Sequence, residues 1–297
     1  MASPAGSSQE RVEHLNESGA LATTSASRRS DLGIASVLLG YLVLLTLAEL
    51  AVTYVNALLV FPLHGGLIAL AAVHMAIEQG RTAPSTKRSP LAGLLVAFLT
   101  APLIRIISLT LPMGDIDPPL RYVVAGVPML IGGVLAARVA GLDRHDLGLT
   151  WRGTELQVMV VAISVAIGVV EFVILRPGPL GPFPWLAGGW MPALAVGVFT
   201  GIPEELIFRG VMQNAARPLI GRWNWLYVGA VFAVLHIGYG SAFDVLFVFG
   251  VGLLYGWVVE ETRSIIGVAI GHGLANVVLL CVAPNVVLTG PRWPILL

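Results

Sequence analysis

The fold of this chain is decided by one stretch, Ala193-Leu-Ala-Val-Gly-Val-Phe-Thr-Gly-Ile-Pro-Glu-Glu-Leu-Ile-Phe-Arg-Gly-Val-Met212. It has the length and apolar character of a membrane-crossing helix, which takes about 20 residues. Yet it carries two adjacent carboxylates, Glu204 and Glu205, and an arginine, Arg209. A charge at membrane depth costs roughly 2.5–3.5 kcal/mol on insertion scales. This cluster is therefore the first candidate for function.

The composition of the whole chain is that of an all-α polytopic membrane protein. Of its 297 residues, 56% are hydrophobic and 11% are charged, whereas a soluble domain carries about 25% charged residues. The net charge is zero, so no basic field indicates a nucleic-acid partner. The single cysteine, Cys281, excludes an internal disulfide framework and a metal site built from cysteines.

Apolar runs divide the chain into spans at 32–53, 56–77, 91–113, 120–141, 155–175, 190–212, 223–240, 243–260 and 265–283. Little polar sequence separates the first two runs and the last three, so we predict about eight transmembrane helices, with seven or nine as alternatives. We expect a polar catalytic cavity between the C-terminal helices. The predicted organisation is a disordered tail at 1–30, N-terminal transmembrane helices at 31–144, a C-terminal transmembrane core at 145–283 and a C-terminal tail at 284–297.

Basic residues cluster at alternate ends of these runs, which predicts the orientation in the membrane. They precede the first run and follow the second, fourth, sixth and eighth runs: Arg28, Arg29, Arg81, Lys87, Arg88, Arg138, Arg144, Arg152, Arg217, Arg222 and Arg263. We therefore place the N-terminus and the basic loops in the cytoplasm, and on the same basis expect the site to face it. The short polar tail and the excess of arginine over lysine favour a bacterial plasma membrane.

The spacing within the first cluster predicts different surroundings for its two carboxylates. Glu205 and Arg209 are four residues apart and share a helix face, so they can pair. Glu204 points about 100° away from Glu205 around the helix. It therefore cannot be the main partner of the same arginine, and it is left to face a cavity.

Two later runs each present a polar face at the same spacing. Phe232 and His236 are four residues apart, and so are His272 and Asn276. Carboxylate, imidazole and amide groups together are sufficient to activate a water molecule and stabilise an oxyanion, as amide hydrolysis requires. Glu204, His236 and His272 also form a donor set of the His₂Glu type that binds catalytic zinc. The sequence does not separate a metal-free site, which we favour, from a zinc site.

The three motifs together resemble a known family. Glu-Glu-x-x-x-Arg, Phe-x-x-x-His and His-x-x-x-Asn on successive apolar segments look like the motifs of the CPBP/Abi family of intramembrane proteases, whose best-known members are the type II CAAX prenyl proteases. Further segments fit the same resemblance, which covers about residues 145–283: 146–149, 249–256 and 262–266.

The resemblance implies a role for each motif residue. Glu204 and His236 would activate the water, and His272 and Asn276 would form the oxyanion site. Supporting roles would fall to the remaining motif residues, Glu205, Arg209 and Phe232. The expected partners are membrane lipid and a membrane-associated peptide or protein, either of CAAX type or a peptide precursor, with no nucleic acid. The expected cofactor is none, with zinc as the alternative.

Two other functions are compatible with buried ionisable groups in a membrane protein. A proton-coupled transporter would use them as a proton relay, and a non-enzymatic immunity or scaffold protein would need them only for structure. The sequence contains no His-Glu-x-x-His, Gly-x-Ser-x-Gly or Gly-x-Gly-Asp motif for another class of protease.

Outside the motifs, three polar residues stand out in the N-terminal runs. Glu49 and Arg105 lie on different predicted helices, where we expect them to pair across the bundle. His64, beside Pro62 and two glycines, is expected at an interfacial turn.

Overall fold

The computed structural model describes residues 32–82, 89–181 and 190–289. These residues are helical almost throughout. The helices are α1 (Leu32–Tyr54), α2 (Val60–Gly80), α3 (Pro90–Phe98), α4 (Thr100–Thr110), α5 (Pro118–Ala140), α6 (Thr154–Leu175), α7 (Trp190–Glu205), α8 (Gln213–Ile220), α9 (Asn224–Val234), α10 (Ala242–Thr262), α11 (Ile266–Val277) and α12 (Ala283–Thr289).

Eight helical stretches among the described residues are long and apolar enough to cross a membrane, which confirms the predicted number. Their outer surfaces carry large apolar side chains, such as Phe61, Val73, Ile131 and Val173, each more than half exposed. A soluble protein rarely exposes so much contiguous apolar surface. The protein is therefore an all-α polytopic membrane protein.

The longest of these stretches, Trp190–Tyr239, is folded back on itself. Its 50 residues include Gly221, whose backbone (φ 55°, ψ −133°) is not helical and ends α8. Phe208 and Phe232 would be about 36 Å apart along a straight helix, but their ring centroids lie 5.0 Å apart. The stretch is therefore two limbs packed side by side, which explains why the sequence shows nine apolar runs.

Glycines bring the helices of the motifs into backbone contact. A Cβ added at Gly201 of α7 would lie 2.7 Å from the backbone nitrogen of Gly273 in α11. On the other side of α11, a Cβ at Gly168 of α6 would lie 2.9 Å from Cβ of Val278. Small residues allow such close packing of helices inside membranes. As a result α11, which carries one polar motif, is held against the helix that carries another.

Two helices change their winding at or just after their motif residues. Leu206–Met212, which follows Glu205, and Val278–Val282, which lies two residues after Asn276, both form π-helix. A single turn of π-helix is rare and occurs frequently at functional sites. Each turn redirects the polar face of its helix relative to an ideal α-helix.

The N-terminal part of the fold confirms one expectation and corrects another. Arg105 Nε lies 2.7 and 2.9 Å from the two carboxylate oxygens of Glu49, as the pairing hypothesis predicts. His64, however, is not at an interfacial turn. It lies inside α2, fully buried, because its ring packs beside the Glu49 carboxylate at 3.5 Å.

The chain comprises two units, Met1–Val43 and Leu44–Leu297, and every motif residue belongs to the second. The predicted tail at 1–30 and residues 290–297 lie outside the described residues. The last helix extends to Thr289, beyond the predicted boundary at 283, because residues 284–289 continue the apolar run.

Candidate functional site

Glu205 lies at the centre of the polar cluster. One of its carboxylate oxygens, Oε1, accepts hydrogen bonds from Nη1 of Arg209 at 3.0 Å and from Nδ1 of His272 at 2.8 Å. The side chains of Glu205 and Arg209 are completely buried. The predicted pairing across one helix turn is thus present, and a histidine from α11 joins it.

Arg209 is held on its other sides by aromatic rings and the backbone. Its guanidinium carbon lies 4.5 Å from the centroid of the Phe232 ring, within the range of a cation–π interaction. Its Nη2 donates to the carbonyl oxygen of Gly252 at 3.5 Å. Phe232 in turn meets Phe208 and His272 edge to face. Phe232 therefore packs against both the buried arginine and His272.

His272 lies between the two adjacent carboxylates. Because its Nδ1 donates to Glu205, its Nε2 is the atom directed at Glu204, 3.7 Å from Oε2. Glu204 keeps 22% of its side chain exposed, whereas Glu205 is completely buried. The carboxylate that the spacing leaves without the arginine is thus the one that faces open space.

His236 lies on the short 3₁₀ segment Leu235–Tyr239 that follows α9. Its Nδ1 is 3.0 Å from the backbone oxygen of Phe232. A carbonyl oxygen only accepts, so Nδ1 carries the hydrogen. Nε2 of the neutral ring is therefore left with its lone pair available to a ligand.

Asn276 is oriented by a residue that the sequence analysis missed. Its Nδ2 donates to Oγ1 of Thr200 at 2.8 Å, and Thr200 donates to the carbonyl oxygen of Val196 at 2.8 Å. An amide nitrogen has two hydrogens, so Asn276 retains one for another acceptor. Thr200 precedes Glu204 by four residues, and the spacing that linked the other pairs could have identified it.

A cavity of about 690 Å³ unites these groups. Five of the seven motif residues line it: Glu204, Phe232, His236, His272 and Asn276. Glu205 and Arg209 lie behind it. Further polar side chains reach the same space and were not assigned to the site from sequence: Ser108, Arg121, Tyr122, Glu171, Thr200, Tyr239 and Tyr255.

Tyr255 supports the far wall of the cavity. Its hydroxyl lies 2.8 Å from Oγ of Ser164 in α6, and its ring centroid is 6.2 Å from that of His272. The tyrosine is within the glycine-rich segment 249–256, which also fits the family resemblance. Tyr255 is the one polar side chain in segment 249–256, and this isolation could have identified it as a residue of the site.

The zinc alternative requires a set of donors around one point. Across residues 32–82, 89–181 and 190–289, no group of three or more His, Cys, Asp or Glu side chains is arranged to hold a metal ion. Glu204, His236 and His272 therefore do not fit a metal site as they lie.

Comparison with known proteins points to the same part of the chain. Residues 185–278 match the family model described as type II CAAX prenyl endopeptidase Rce1-like. No curated protein and no solved structure gives a significant match. The matched segment contains all three polar motifs and both limbs of the folded stretch. Residues 185–278 are thus similar to type II CAAX prenyl endopeptidases of the Rce1-like family, which supports the resemblance of its motifs to the CPBP/Abi group.

Proposed function

We propose that this protein is an intramembrane endopeptidase that hydrolyses a peptide bond of a membrane-associated substrate through a water molecule activated by Glu204. One observation supports this most directly. The carboxylate of Glu204, the Nε2 atoms of two histidines and the amide of Asn276 belong to residues lining a single cavity of about 690 Å³ within the helix bundle. The family match supports protease activity in general.

In the proposed reaction Glu204 is the general base. It is the carboxylate of the pair that lies in the cavity, and its neighbour Glu205 is occupied by Arg209 and His272. Glu204 takes a proton from the water as the water oxygen attacks the substrate carbonyl carbon. His236 accepts the second hydrogen of this water through Nε2 and so orients it.

The negative charge that develops on the substrate oxygen requires donors in the same cavity. Asn276 supplies its free N–H, and His272 supplies Nε2–H when its ring is protonated between the two carboxylates. The tetrahedral intermediate collapses when the carbon–nitrogen bond breaks. Glu204 then returns its proton to the leaving amine, so that the products are a carboxylic acid and an amine, and the acid then ionises in water.

The proposed substrate is a membrane-associated peptide or protein segment near its terminus, either of CAAX type or a peptide precursor. The cavity lies within a bundle of helices whose outer surfaces are apolar, so a substrate anchored in the bilayer is held close to it. Its volume of about 690 Å³ falls within the range of sites that bury a drug-sized ligand, about 300–1,000 Å³.

The test is cleavage in proteoliposomes by purified full-length protein. The probes are fluorescence-quenched peptides that carry a farnesylated or palmitoylated cysteine, with unlipidated peptides beside them, and mass spectrometry identifies the products. We expect Glu204→Gln to lower the cleavage rate at least 1,000-fold while the protein stays folded. The matched control is Glu261→Gln, at an exposed carboxylate, which should cleave at the normal rate.

The outcome also separates the other candidate functions. Full cleavage by both Glu204→Gln and His236→Ala would overturn the proposed mechanism. Solute flux that depends on a pH gradient, with no cleavage of any probe, would support a proton-coupled transporter instead. Partner binding or immunity that survives Glu204→Gln would support a non-enzymatic role.

A further inference from the structure

The unit Leu44–Leu297 has two opposite faces, each defined by loops that touch one another. On the first, the backbone nitrogen of Ile265 donates to the carbonyl oxygen of Gly148 at 3.0 Å, and the side-chain amide of Asn214 in α8 donates to the carbonyl oxygen of Asp146. α3, which follows the loop 81–89, packs on α8. The described residues 81–82 and 89 and the connections 141–153, 221–223 and 263–265 therefore lie together, and we call this side the basic face.

The second face is formed by the opposite helix ends. The backbone nitrogen of Leu180 donates to the carbonyl oxygen of Leu280 at 2.9 Å, and Nδ2 of Asn285 donates to the carbonyl oxygen of Gly181 at 3.0 Å. Residues 111–117 and 240–241, at the ends of neighbouring antiparallel helices, lie on the same side as these four residues. We call this side the mouth face.

The arginines are distributed unequally between the faces. In the described residues the basic face carries most of them: Arg81, Arg138, Arg144, Arg152, Arg217, Arg222 and Arg263. The mouth face carries Arg121 and Arg176. An excess of arginine and lysine marks the cytoplasmic side of a membrane protein, and acidic residues contribute little to this rule. The basic face is therefore the cytoplasmic one.

The cavity extends to the mouth face. Its lining continues from Glu204 to residues at the helix ends and loops of that face: Met113, Pro118, Leu175, Pro177, Leu180 and Tyr239. Of the described residues that line it, none belongs to the connections of the basic face. The expectation from sequence that the site faces the cytoplasm therefore conflicts with the geometry. It followed the basic loops, whereas the cavity that holds the polar groups is lined by residues of the opposite loops and helix ends.

We infer that the cavity opens on the non-cytoplasmic side of the membrane, so that its substrate is a membrane-anchored peptide whose scissile bond lies outside the cytoplasm. The statement that the cavity binds a peptide substrate rests on the proposed function. The direction in which the cavity opens rests only on the positions of the basic face and the mouth face. It favours a secreted or surface-anchored peptide precursor over the tail of a cytoplasmic protein.

The experiment compares labelling of one cysteine on each face. In a Cys281→Ser background, Asp115→Cys places a thiol at an exposed position of the mouth face, and His145→Cys does so on the basic face. Right-side-out vesicles from a bacterial host are treated with a membrane-impermeant maleimide. We expect Asp115→Cys to label equally before and after lysis, and His145→Cys to label at least 10-fold less before lysis than after it.

The reverse pattern would overturn the inference whether or not the protein cleaves peptides. A second arm adds a lipidated quenched peptide to the outside of right-side-out or inside-out vesicles. Cleavage in right-side-out vesicles, at least 10-fold faster than in inside-out ones, supports the inference, and the opposite preference contradicts it. Outward labelling of Asp115→Cys with no cleavage in either vesicle would count against the proposed protease function and leave the opening direction established.

A second observation independently links the N-terminal helices to the site. The guanidinium of Arg105, held by both oxygens of the buried Glu49, packs against Gly238. A Cβ added at Gly238 would contact Nη2 of Arg105 and lie 3.2 Å from its Cζ. Gly238 is two residues after His236, in the same 3₁₀ segment. The salt bridge therefore supports the short segment that carries the histidine.

We propose that Arg105 is a positioning residue for His236, acting through the backbone at Gly238. Arg105→Gln keeps hydrogen-bonding ability but loses the charge-assisted contact with Glu49. We expect the rate at which diethyl pyrocarbonate modifies His236, measured by peptide mass spectrometry, to change at least threefold in this variant. The rate at the exposed His145 should not change, and it serves as the internal control.

A general loss of structure would change both histidines, and this result would contradict the proposal, as would an unchanged rate at His236. Gly238→Ala provides the matched approach from the other side of the contact, because its methyl group displaces the guanidinium. It should alter the reactivity of His236 in the same direction as Arg105→Gln. The double variant should show little more than either single change.

Discussion

His272 and Arg209 bind the same oxygen of Glu205, at 2.8 Å and 3.0 Å. This shared acceptor joins the first polar motif to the third. Since Glu205 is occupied from both sides, the second carboxylate, Glu204, is the one left to act in the cavity. The pair that is adjacent in sequence is therefore divided in space between a structural and a chemical role.

The first prediction separates the two carboxylates by stability. Glu205→Gln leaves Arg209 buried without its counter-ion, and removing one partner of a buried pair costs about 3–5 kcal/mol. We expect a clear fall in the midpoint of thermal unfolding in detergent for Glu205→Gln and little change for Glu204→Gln. Equal midpoints for the two variants would contradict this division of roles.

A double variant sharpens the same point. Arg209→Met fills the space of the arginine without its charge, and a buried ion pair can often be replaced by apolar side chains at little cost. Glu205→Gln combined with Arg209→Met should therefore recover part of the stability lost in Glu205→Gln alone. No recovery would mean that the contact with His272 at 2.8 Å carries most of the effect.

The second prediction concerns the residue that orients Asn276. Thr200→Val keeps the shape of the side chain but removes the acceptor of the 2.8 Å hydrogen bond. Loss of one donor to an oxyanion costs roughly 10²–10³ in kcat, so a misdirected donor should cost about 10–100-fold. Thr200→Ser retains the hydroxyl and should stay within about threefold of the normal rate, as assayed with quenched peptides. Equal rates for the valine and serine variants would contradict the role of Thr200.

The third prediction tests the glycine contact between α7 and α11. Gly201→Ala would place its Cβ 2.7 Å from the backbone nitrogen of Gly273, and overpacking of this kind costs about 1–3 kcal/mol. Gly250→Ala is the matched control, because its Cβ would meet nothing within 4 Å. We expect a lower unfolding midpoint for Gly201→Ala and an unchanged or higher one for Gly250→Ala. If the unfolding midpoint of Gly201→Ala were no lower than that of the unmodified protein, α7 and α11 could move apart without loss of stability. This result would contradict the prediction.

The fourth prediction concerns the aromatic ring over the buried arginine. Phe232→Leu keeps an apolar side chain but removes the π face that lies 4.5 Å from the guanidinium. A desolvated cation–π contact contributes about 2 kcal/mol, which should appear as a lower unfolding midpoint. Phe243→Leu, at a ring that is 80% exposed, should leave the midpoint unchanged. A similar loss in both variants would contradict the cation–π role.

The fifth prediction addresses the metal question. Dialysis of the purified protein against a strong chelator, followed by elemental analysis, gives the metal content before and after treatment. We expect peptide cleavage to persist at the same rate in the metal-depleted protein, since the proposed proton transfers use Glu204 and the histidines alone. Loss of cleavage that zinc alone restores would contradict the metal-free mechanism.

Local features of the sequence were sufficient for much of the fold. Hydropathy predicts the membrane helices because each must present about 20 apolar residues to lipid, whatever its neighbours are. The four-residue spacing predicts the contact of Glu205 with Arg209 because both lie on one helix face. The order of the three motifs was enough to indicate the family whose model matches residues 185–278.

Other contacts were not accessible to such patterns. The sequence predicts an interfacial position for His64 because its neighbours Pro62 and Gly65 indicate a turn. In the structure, α2 continues through these residues and the His64 ring is buried against Glu49. In the sequence, nothing distinguishes Thr200 from the other small residues of an apolar helix. Its hydrogen bond to Asn276 forms only because the packing of the helices places the two side chains next to each other.

The sequence by itself therefore determined which residues are polar within the membrane and which of them share a helix face, because these properties depend on residues a few positions apart. The tertiary structure alone decided that His272 is the histidine between the two carboxylates and that the cavity opens opposite the basic loops. The physical reason is that both depend on how separate helices pack. The glycine contacts between α7 and α11 set that packing, and a helical period carries no information about the neighbouring helix.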